Sequence, residues 1–316
     1  MKVSVYCLAF NHENYISQTL EGFINQNTDF KYEVFVHDDA STDGTSKIIQ
    51  EYEKKYPEII KGIYQNENQY SKGVNVVATY IMPRVCGKYV ALCEGDDYWS
   101  DVYKLQKMVD FLDNHLEYSA CVHNTVVLDM ATEERRLMNP IMEEYDLKIE
   151  HVLTEGGSDF HTSSLVYRFE YMKKMYSKGR PEFFEIVSPI EDYPTAIYLT
   201  LQGKVRYLPD VMSVYRYGTP GSWTSSLKNI ERFKVMRKKV ISMLENIDQF
   251  MDYQMHNEIQ AIVEERYWEI LMISLNLEIL KEEAIRKIFQ KQSFLQKVKI
   301  IIKLLFLNKY RMRRCG

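Results

Sequence analysis

Leu92-Cys93-Glu94-Gly95-Asp96-Asp97-Tyr98-Trp99 is the stretch on which the reading of this chain turns. It closes an apolar run that begins at Tyr89, then sets three carboxylates within four residues around a glycine. A buried strand that ends in an acidic turn places oxygen ligands at the rim of a parallel sheet, in the crevice formed by strand ends. Such ligands suit Mg2+ or Mn2+. Gly and Asp are also ordinary turn residues, so the stretch takes its meaning from its surroundings.

Upstream, Lys2–Leu8 reads as a buried strand, and Asn11-His12-Glu13-Asn14 is a polar break in which Asn14 can cap a helix. Ile16, Leu20, Phe23 and Ile24 follow at helical spacing. A second strand, Tyr32–Val36, runs into His37-Asp38-Asp39-Ala40-Ser41-Thr42-Asp43-Gly44-Thr45. The helix marked by Ile48, Ile49 and Tyr52 stops before Pro57, and a short strand covers Ile59–Tyr64. Asn75–Val85 is expected as a helix with Val77 and Ile81 inward, and residues 89–93 form the fourth strand. Strands alternating with helices predict a parallel α/β sheet with right-handed crossovers, whose ligands bind at the carboxyl ends of the strands. The acidic clusters at 38–43 and 94–97 both fall at such ends.

Downstream the pattern is less regular. Leu105–Leu112 is expected as a helix, Ala120–Asn124 and Val126–Leu128 as strands, and 131–160 as polar loop. Phe160–Tyr167 is expected as a strand, Thr195–Leu201 as a helix entered through Pro194, and Val211–Tyr217 as a last strand before the loop Gly218–Trp223. Glu191 and Asp192 thus stand before a helix N-terminus, which favours the ionised carboxylate. From Ile230 two apolar stripes at helical spacing, Phe233–Ile247 and Ile259–Leu271, predict a helical hairpin.

The chain has 316 residues, 46% of them hydrophobic and 27% charged, which fits one large globular domain with an appendage. The boundary is read at 1–228 for a catalytic domain and 229–316 for a helical region with a basic, apolar tail. Twenty-four tyrosines suit either a cleft for something planar and polar or a tyrosine-rich core. Met1–Val5 enters a strand directly, without a secretory signal pattern. The five cysteines show no C-x-x-C spacing and read as reduced core residues of a cytoplasmic protein.

The net charge of −4 conceals an asymmetry. After Glu283 there are ten basic residues and no acidic one, which leaves 30 basic against 44 acidic groups up to that point, a formal −14. An acidic body with a basic tail argues against a nucleic-acid partner. Ile and Leu interleaved with Lys in 294–310 point to contact with an anionic membrane surface, in a run too short and charged to cross it. A solvated basic helix is the plain alternative.

A nucleotide-sugar transferase needs four things, and the chain offers a candidate for each. The 38–43 turn offers a hydrogen-bonding carboxylate for base or ribose. The 94–97 turn offers ligands for a cation that neutralises the leaving diphosphate. Glu191 or Asp192 offers a general base for the acceptor hydroxyl, and Tyr217 with Ser222-Trp223 offers a wall for the sugars. A nucleotidyltransferase of similar fold would want a glycine- and basic-rich phosphate loop after the first strand, where Cys7–His12 has neither. A non-catalytic nucleotide-binding scaffold would have no need of every one of these acidic positions.

The motifs Val3-Ser4-Val5, Phe10-Asn11, Tyr15-Ile16, Leu20 and Gln26, then Asp38–Thr45, then Glu94-Gly95-Asp96-Asp97, resemble those of a family 2 glycosyltransferase of the bacterial surface-polysaccharide type, over about residues 1–225. The resemblance implies the GT-A fold, a mostly parallel Rossmann-like sheet flanked by helices, here with a C-terminal helical appendage. It implies inverting, metal-dependent transfer from a nucleotide-diphosphate sugar, in particular a UDP-sugar, to a glycan or lipid-linked hydroxyl at the inner face of the cell membrane, with Mn2+ or Mg2+ as cofactor. Carried over by position, Asp39 recognises a uracil-type base with Asp38 beside it, and Ala9 and Asn11 border the nucleotide. Asp96 contacts ribose or metal, Asp97 is the main metal ligand, and Glu94 occupies the first position of the DxD motif. Asp192 of the E-D pair is the base. Tyr215-Arg216 matches the family's Y-R strand, with Tyr217-Gly218-Thr219 where a histidine often stands.

Several residues keep two readings. Asp43 is a helix cap or a ligand contact. Asn11 and His12 are turn residues or touch nucleotide, and Trp99 packs in the core or lines the donor-sugar pocket with Glu94. Arg216 pairs with the acidic body or with diphosphate, and His161 reads first as a structural strand residue.

Overall fold

A computed structural model describes residues 1–155, 160–188, 191–222, 229–274 and 277–312. It divides into two compact units, Met1–Ser222 and Trp223–Gly316.

The first unit is built on one mixed sheet. β1 (Val3–Ala9) is almost wholly buried, as an apolar run covered on both faces should be. Helix α1 (Ile16–Ile24) turns Ile16, Thr19, Leu20 and Phe23 inward, the spacing of one helical face. Its start differs from expectation: Tyr15 precedes it and no side chain caps it. β2 (Tyr32–Asp38), α2 (Thr45–Lys55) and β3 (Ile60–Tyr64) follow. The predicted helix at 75–85 is instead a π-helical turn, Val77–Ile81, and a 3-10 turn, Met82–Arg84. Pro83 has no amide hydrogen to donate to the preceding turn, which accounts for the break. Val77 and Ile81 are buried.

β4 (Tyr89–Leu92), the two-residue β5 (Tyr98–Trp99) and α3 (Lys104–Asn114) lead to β6, one strand, Tyr118–Asp129, where two were predicted. The stretch expected as loop contains β7 (Arg135–Leu137), β8 (Tyr145–Asp146) and α4 (Ile149–Glu155). The predicted strand at 160–167 is a 3-10 turn, Thr162–Ser164, and then β9 (Val166–Arg168). α5 (Phe169–Lys178) and α6 (Glu182–Ile186) had no expectation. α7 (Asp192–Gln202) begins three residues before Thr195, so Asp192 lies in its first turn. β10 (Lys204–Tyr217) is longer than predicted; its register against β6 shifts between Leu208 and Val211, where Pro209 cannot donate to the ladder.

The strand order is β3-β2-β1-β4-β9-β6-β10-β5, with β7 on β6 and β8 on β10. β3, β2, β1 and β4 run parallel, as do β6 and β10, whereas β9 is antiparallel to both its neighbours and β5 to β10. The carboxyl ends of β2, β1, β4 and β10 therefore share one edge of the sheet. The core gathers Val3, Val5, Cys7, Leu20, Phe23, Val34, Val36, Leu105 and Met108 around β1.

The second unit contains the predicted hairpin, α8 (Ile230–Phe250) and α9 (His256–Ile273), then α10 (Glu283–Gln290) and α11 (Phe294–Met312). Asn229 caps α8 by accepting from the amides of Glu231 and Arg232. Among the described residues no helix is long and apolar enough to cross a membrane.

Candidate active site

The acidic turn lies where β1, β4 and β10 end together. Gly95 donates its amide to Leu8 O at 2.9 Å. A Cβ on Gly95 would lie 2.7 Å from His12 Nδ1 and 3.1 Å from the Ala9 side chain, so only glycine brings the carboxylates this close to β1. Thr19 of α1 fastens the turn from below, its hydroxyl donating to the carbonyls of Gly95 (3.0 Å) and Asp97 (2.5 Å).

The three carboxylates have different surroundings. Asp97 is 1% exposed, and its Oδ1 accepts the amide of Arg216 on β10 at 2.8 Å. Its Oδ2 faces His161 Nε2 at 3.6 Å. Asp96 is half-buried, with Oδ2 accepting the hydroxyl of Thr219 at 2.7 Å. Glu94 is half-buried too, and burial, then Asp96 and Asp192, push its carboxyl up to about 8. Burial, followed by Asp96, also drives Asp97 well above the usual carboxylate range. Asp97, expected as the main metal ligand, is enclosed and ties the turn to β10, while Asp96 and Glu94 are the turn's more open carboxylates.

Arg216 is buried and closes the other side. Its guanidinium donates to Asp96 O at 2.5 Å and to the Gln18 side chain, and lies over the rings of Tyr98 and Tyr15. Gly218, at φ +86°, turns the chain after β10 and brings Thr219 onto Asp96, in the segment where the family's histidine is replaced by Tyr217-Gly218-Thr219. Tyr217 is 38% exposed beside Tyr215. Trp223 lies outside the described residues.

His161 was read as a structural strand residue, but it stands in the turn before β9, its ring stacked on Tyr215 with centroids 4.2 Å apart. Its Nδ1 meets Ser163 N at 3.2 Å and Ser163 Oγ at 2.9 Å, and its Nε2 faces Asp97. Burial lowers its pKa to about 4, so the imidazole is neutral. Of the two readings of Trp99, its surroundings match core packing: it is 3% exposed, meets Phe23 edge-on and donates Nε1–H to Ser163 O at 3.1 Å.

On the neighbouring strand ends, Asp38 is buried and accepts the amide of Ser41 at 3.2 Å. Asp39 accepts the amides of Gln69 (2.7 Å) and Tyr70 (3.0 Å), one on each oxygen, and so holds the 65–73 segment beside β2. A carboxylate offers about four lone pairs, so each Asp39 oxygen keeps one beyond these bonds. Ala9 is buried and accepts Asp39 N at 2.9 Å. Asn11, at φ +56°, accepts the amide of Thr42 at 2.8 Å and braces the turn. Asp43, one residue before the N-cap Gly44, accepts the amide of Thr45, the first residue of α2, at 3.0 Å.

The E-D pair divides by partner. Glu191 is buried, and its Oε1 accepts from Arg180 Nη2 at 2.7 Å and from the Asn75 amide. Asp192 is reached by solvent, bonds only its own helix through Tyr193 N at 2.8 Å among the contacts described, and stands close enough to Glu94 to raise its pKa. Surrounding protein raises the Asp192 carboxyl above its ordinary range. Arg180, Asn75, Thr19 and Thr219 carried no motif in the sequence; the glycine before Thr219 was the only local signal.

Among the described residues no three His, Cys, Asp or Glu side chains are already arranged to hold a metal. A hard cation such as Mg2+ takes one or two carboxylates and completes its shell with water and substrate phosphates. Asp96 and Glu94 at the open side of the turn fit that requirement.

The profile of Glycosyl transferase family 2 matches residues 4–176. An uncharacterized protein of Mycobacterium tuberculosis is 33% identical over 267 residues, 83% of this chain and 72% of that one. Among solved structures, Staphylococcus aureus TarS 1–349 in complex with UDP-GlcNAc superposes with a TM-score of 0.64 at 19% identity, covering 92% of this chain and 81% of that one. The mannosyltransferase PcManGT from Pyrobaculum calidifontis, in complex with GDP-Man and Mn2+, gives 0.52 at 16% identity, covering 98% and 87%. These likenesses agree with the GT-A arrangement of a mixed sheet between helices. The chain is a glycosyltransferase and belongs to glycosyl transferase family 2.

Proposed function

We propose that the first unit transfers a sugar, with inversion, from a nucleoside-diphosphate donor to a hydroxyl of a glycan or lipid-linked acceptor. The observation that carries this reading is the grouping of carboxylates at one end of the sheet: Asp38 and Asp39 at the end of β2, the more open Glu94 and Asp96 after β4, and the solvent-accessible Asp192 of α7 near Glu94. The UDP-GlcNAc bound by TarS and the Mn2+ bound by PcManGT support a UDP-sugar and a divalent cation as first candidates.

In this reading Asp39 accepts from the base, with Ala9, Asn11 and Asp38 shaping its cradle. Asp96, with Glu94, would hold Mn2+ or Mg2+, which neutralises charge on the departing diphosphate. Asp97 and Arg216 fix the turn in place, and Thr219 orients Asp96. Asp192 takes the proton of the acceptor hydroxyl as its oxygen bonds to the anomeric carbon and the bond from that carbon to the diphosphate oxygen breaks. Tyr217 and the following loop border the acceptor. The protein works on the cytoplasmic side, peripheral to the membrane that carries its acceptor.

A thermal-shift screen of nucleotide sugars with Mn2+ or Mg2+ tests the reading, because a ligand of the folded state raises apparent stability by mass action. A cation-dependent rise with one class of nucleotide sugar is expected. No rise with any of them, in a protein that melts cooperatively, would overturn it.

A further inference from the structure

Helix α11 is apolar on two faces. Ile300 and Leu304 are buried, and Lys303 Nζ donates to Met272 O at 2.7 Å, so one face is fixed against its own unit. Phe294 and Leu295 are 78% and 72% exposed, and Ile301 and Ile302 are 36% and 47% exposed. At about 100° per residue, 294, 295, 298, 301 and 302 fall within an arc of roughly 120° turned away from Ile300 and Leu304. Lys297 and Lys299 flank that arc, one on each side. A contiguous stripe of large apolar side chains in water marks a surface that something covers.

We propose that this outward stripe of α11 docks on a bilayer rich in anionic lipid. Charge complementarity selects the occupant: ten basic and no acidic residues follow Glu283. Apolar side chains would enter the boundary between headgroups and acyl chains, while the lysines stay among anionic headgroups. A second copy of the chain would bring like charges together along the same stripe. The inference deepens the peripheral-membrane part of the proposed function and does not depend on which sugar is moved.

Sedimentation of the full chain with sucrose-loaded vesicles tests it, using phosphatidylcholine alone and a 3:1 mixture with phosphatidylglycerol. The chain is expected to pellet with the anionic vesicles and remain in solution with the neutral ones. Leu295→Ser with Ile301→Ser and Ile302→Ser, and separately Lys297→Glu with Lys299→Glu, should each lower partitioning by about tenfold or more. Both sets change exposed or flanking positions, so melting temperature and cation-dependent nucleotide binding should stay at parental values, which separates a failed surface from a failed enzyme. Equal recovery with both vesicle types, or parental binding by the apolar triple variant, would overturn the proposal. So would a dimer in sedimentation velocity that the triple variant abolishes.

Discussion

Arg180 Nη2 stands 2.7 Å from Glu191 Oε1, and this contact engages one carboxylate of the E-D pair while the other stays open to solvent. Glu191 is buried and shared between Arg180 and Asn75, whereas its neighbour Asp192 meets solvent in the first turn of α7. In the proposed mechanism Glu191 is the anchor that aims α7, and Asp192 the group that moves a proton.

Breaking the anchor should act on stability first. Arg180→Ala leaves a buried carboxylate without its charge partner, a change that costs about 3 kcal/mol or more. The measurement is chemical denaturation of parent and variant. An unchanged midpoint would mean that the pair contributes nothing to holding α7.

Asp96→Asn should weaken cation-dependent nucleotide binding by at least tenfold and leave folding intact, because Asp96 is half-buried and bonded chiefly to Thr219. Asp97→Asn should lower the melting temperature more than Asp96→Asn, since Asp97 is enclosed and joins the turn to β10. Calorimetric titration with UDP and Mn2+, beside thermal melts, checks both. The reverse ranking in binding would return Asp97 to the role of principal ligand.

The same turn should make cation stabilisation depend on pH. Glu94 titrates near 8, raised by burial and by Asp96. An acid whose folded pKa exceeds its unfolded value near 4.5 contributes stability that fades as pH rises between the two values. A bound cation replaces the proton, so Mn2+ should raise the melting temperature more at pH 8 than at pH 5.5. Equal shifts at both values would count against Glu94 near the cation.

Lys104 gives a stability test away from the active site. It is fully buried, its Nζ has no hydrogen-bond partner among the described residues and lies 4.6 Å over the Trp99 ring, and burial lowers its pKa to about 7. The unfolded chain binds a proton there up to about pH 10.5, so this residue's contribution to stability rises with pH between 7 and 10.5. Lys104→Met should be more stable than the parent at pH 7, by on the order of 3 kcal/mol, and the gap should shrink toward pH 10. A constant gap would show that the ammonium is not the cause.

Much of this was legible in the sequence, for identifiable reasons. The first four parallel strands announce themselves because each is a short apolar run closed by a polar turn, and the two acidic clusters mark the ends of β2 and β4. The later half was harder to read. The expected break in β6 falls at Thr125, which is buried and bonded to Ser213 across the sheet, and β10 is expected only from Val211 because Pro209-Asp210 resembles a turn. His161 was misplaced because stacking on Tyr215 and proximity to Asp97 depend on contacts between distant segments. Trp99 sits beside the acidic turn in sequence, yet strand alternation turns it into the core.

Single-turnover transfer by Asp192→Asn, with the donor found in the nucleotide-sugar screen, tests the central claim most directly. The rate should fall by about 10²- to 10⁴-fold, while cation-dependent affinity for the nucleotide remains parental. Transfer at the parental rate would contradict the account and leave Glu191 as the remaining carboxylate of the pair.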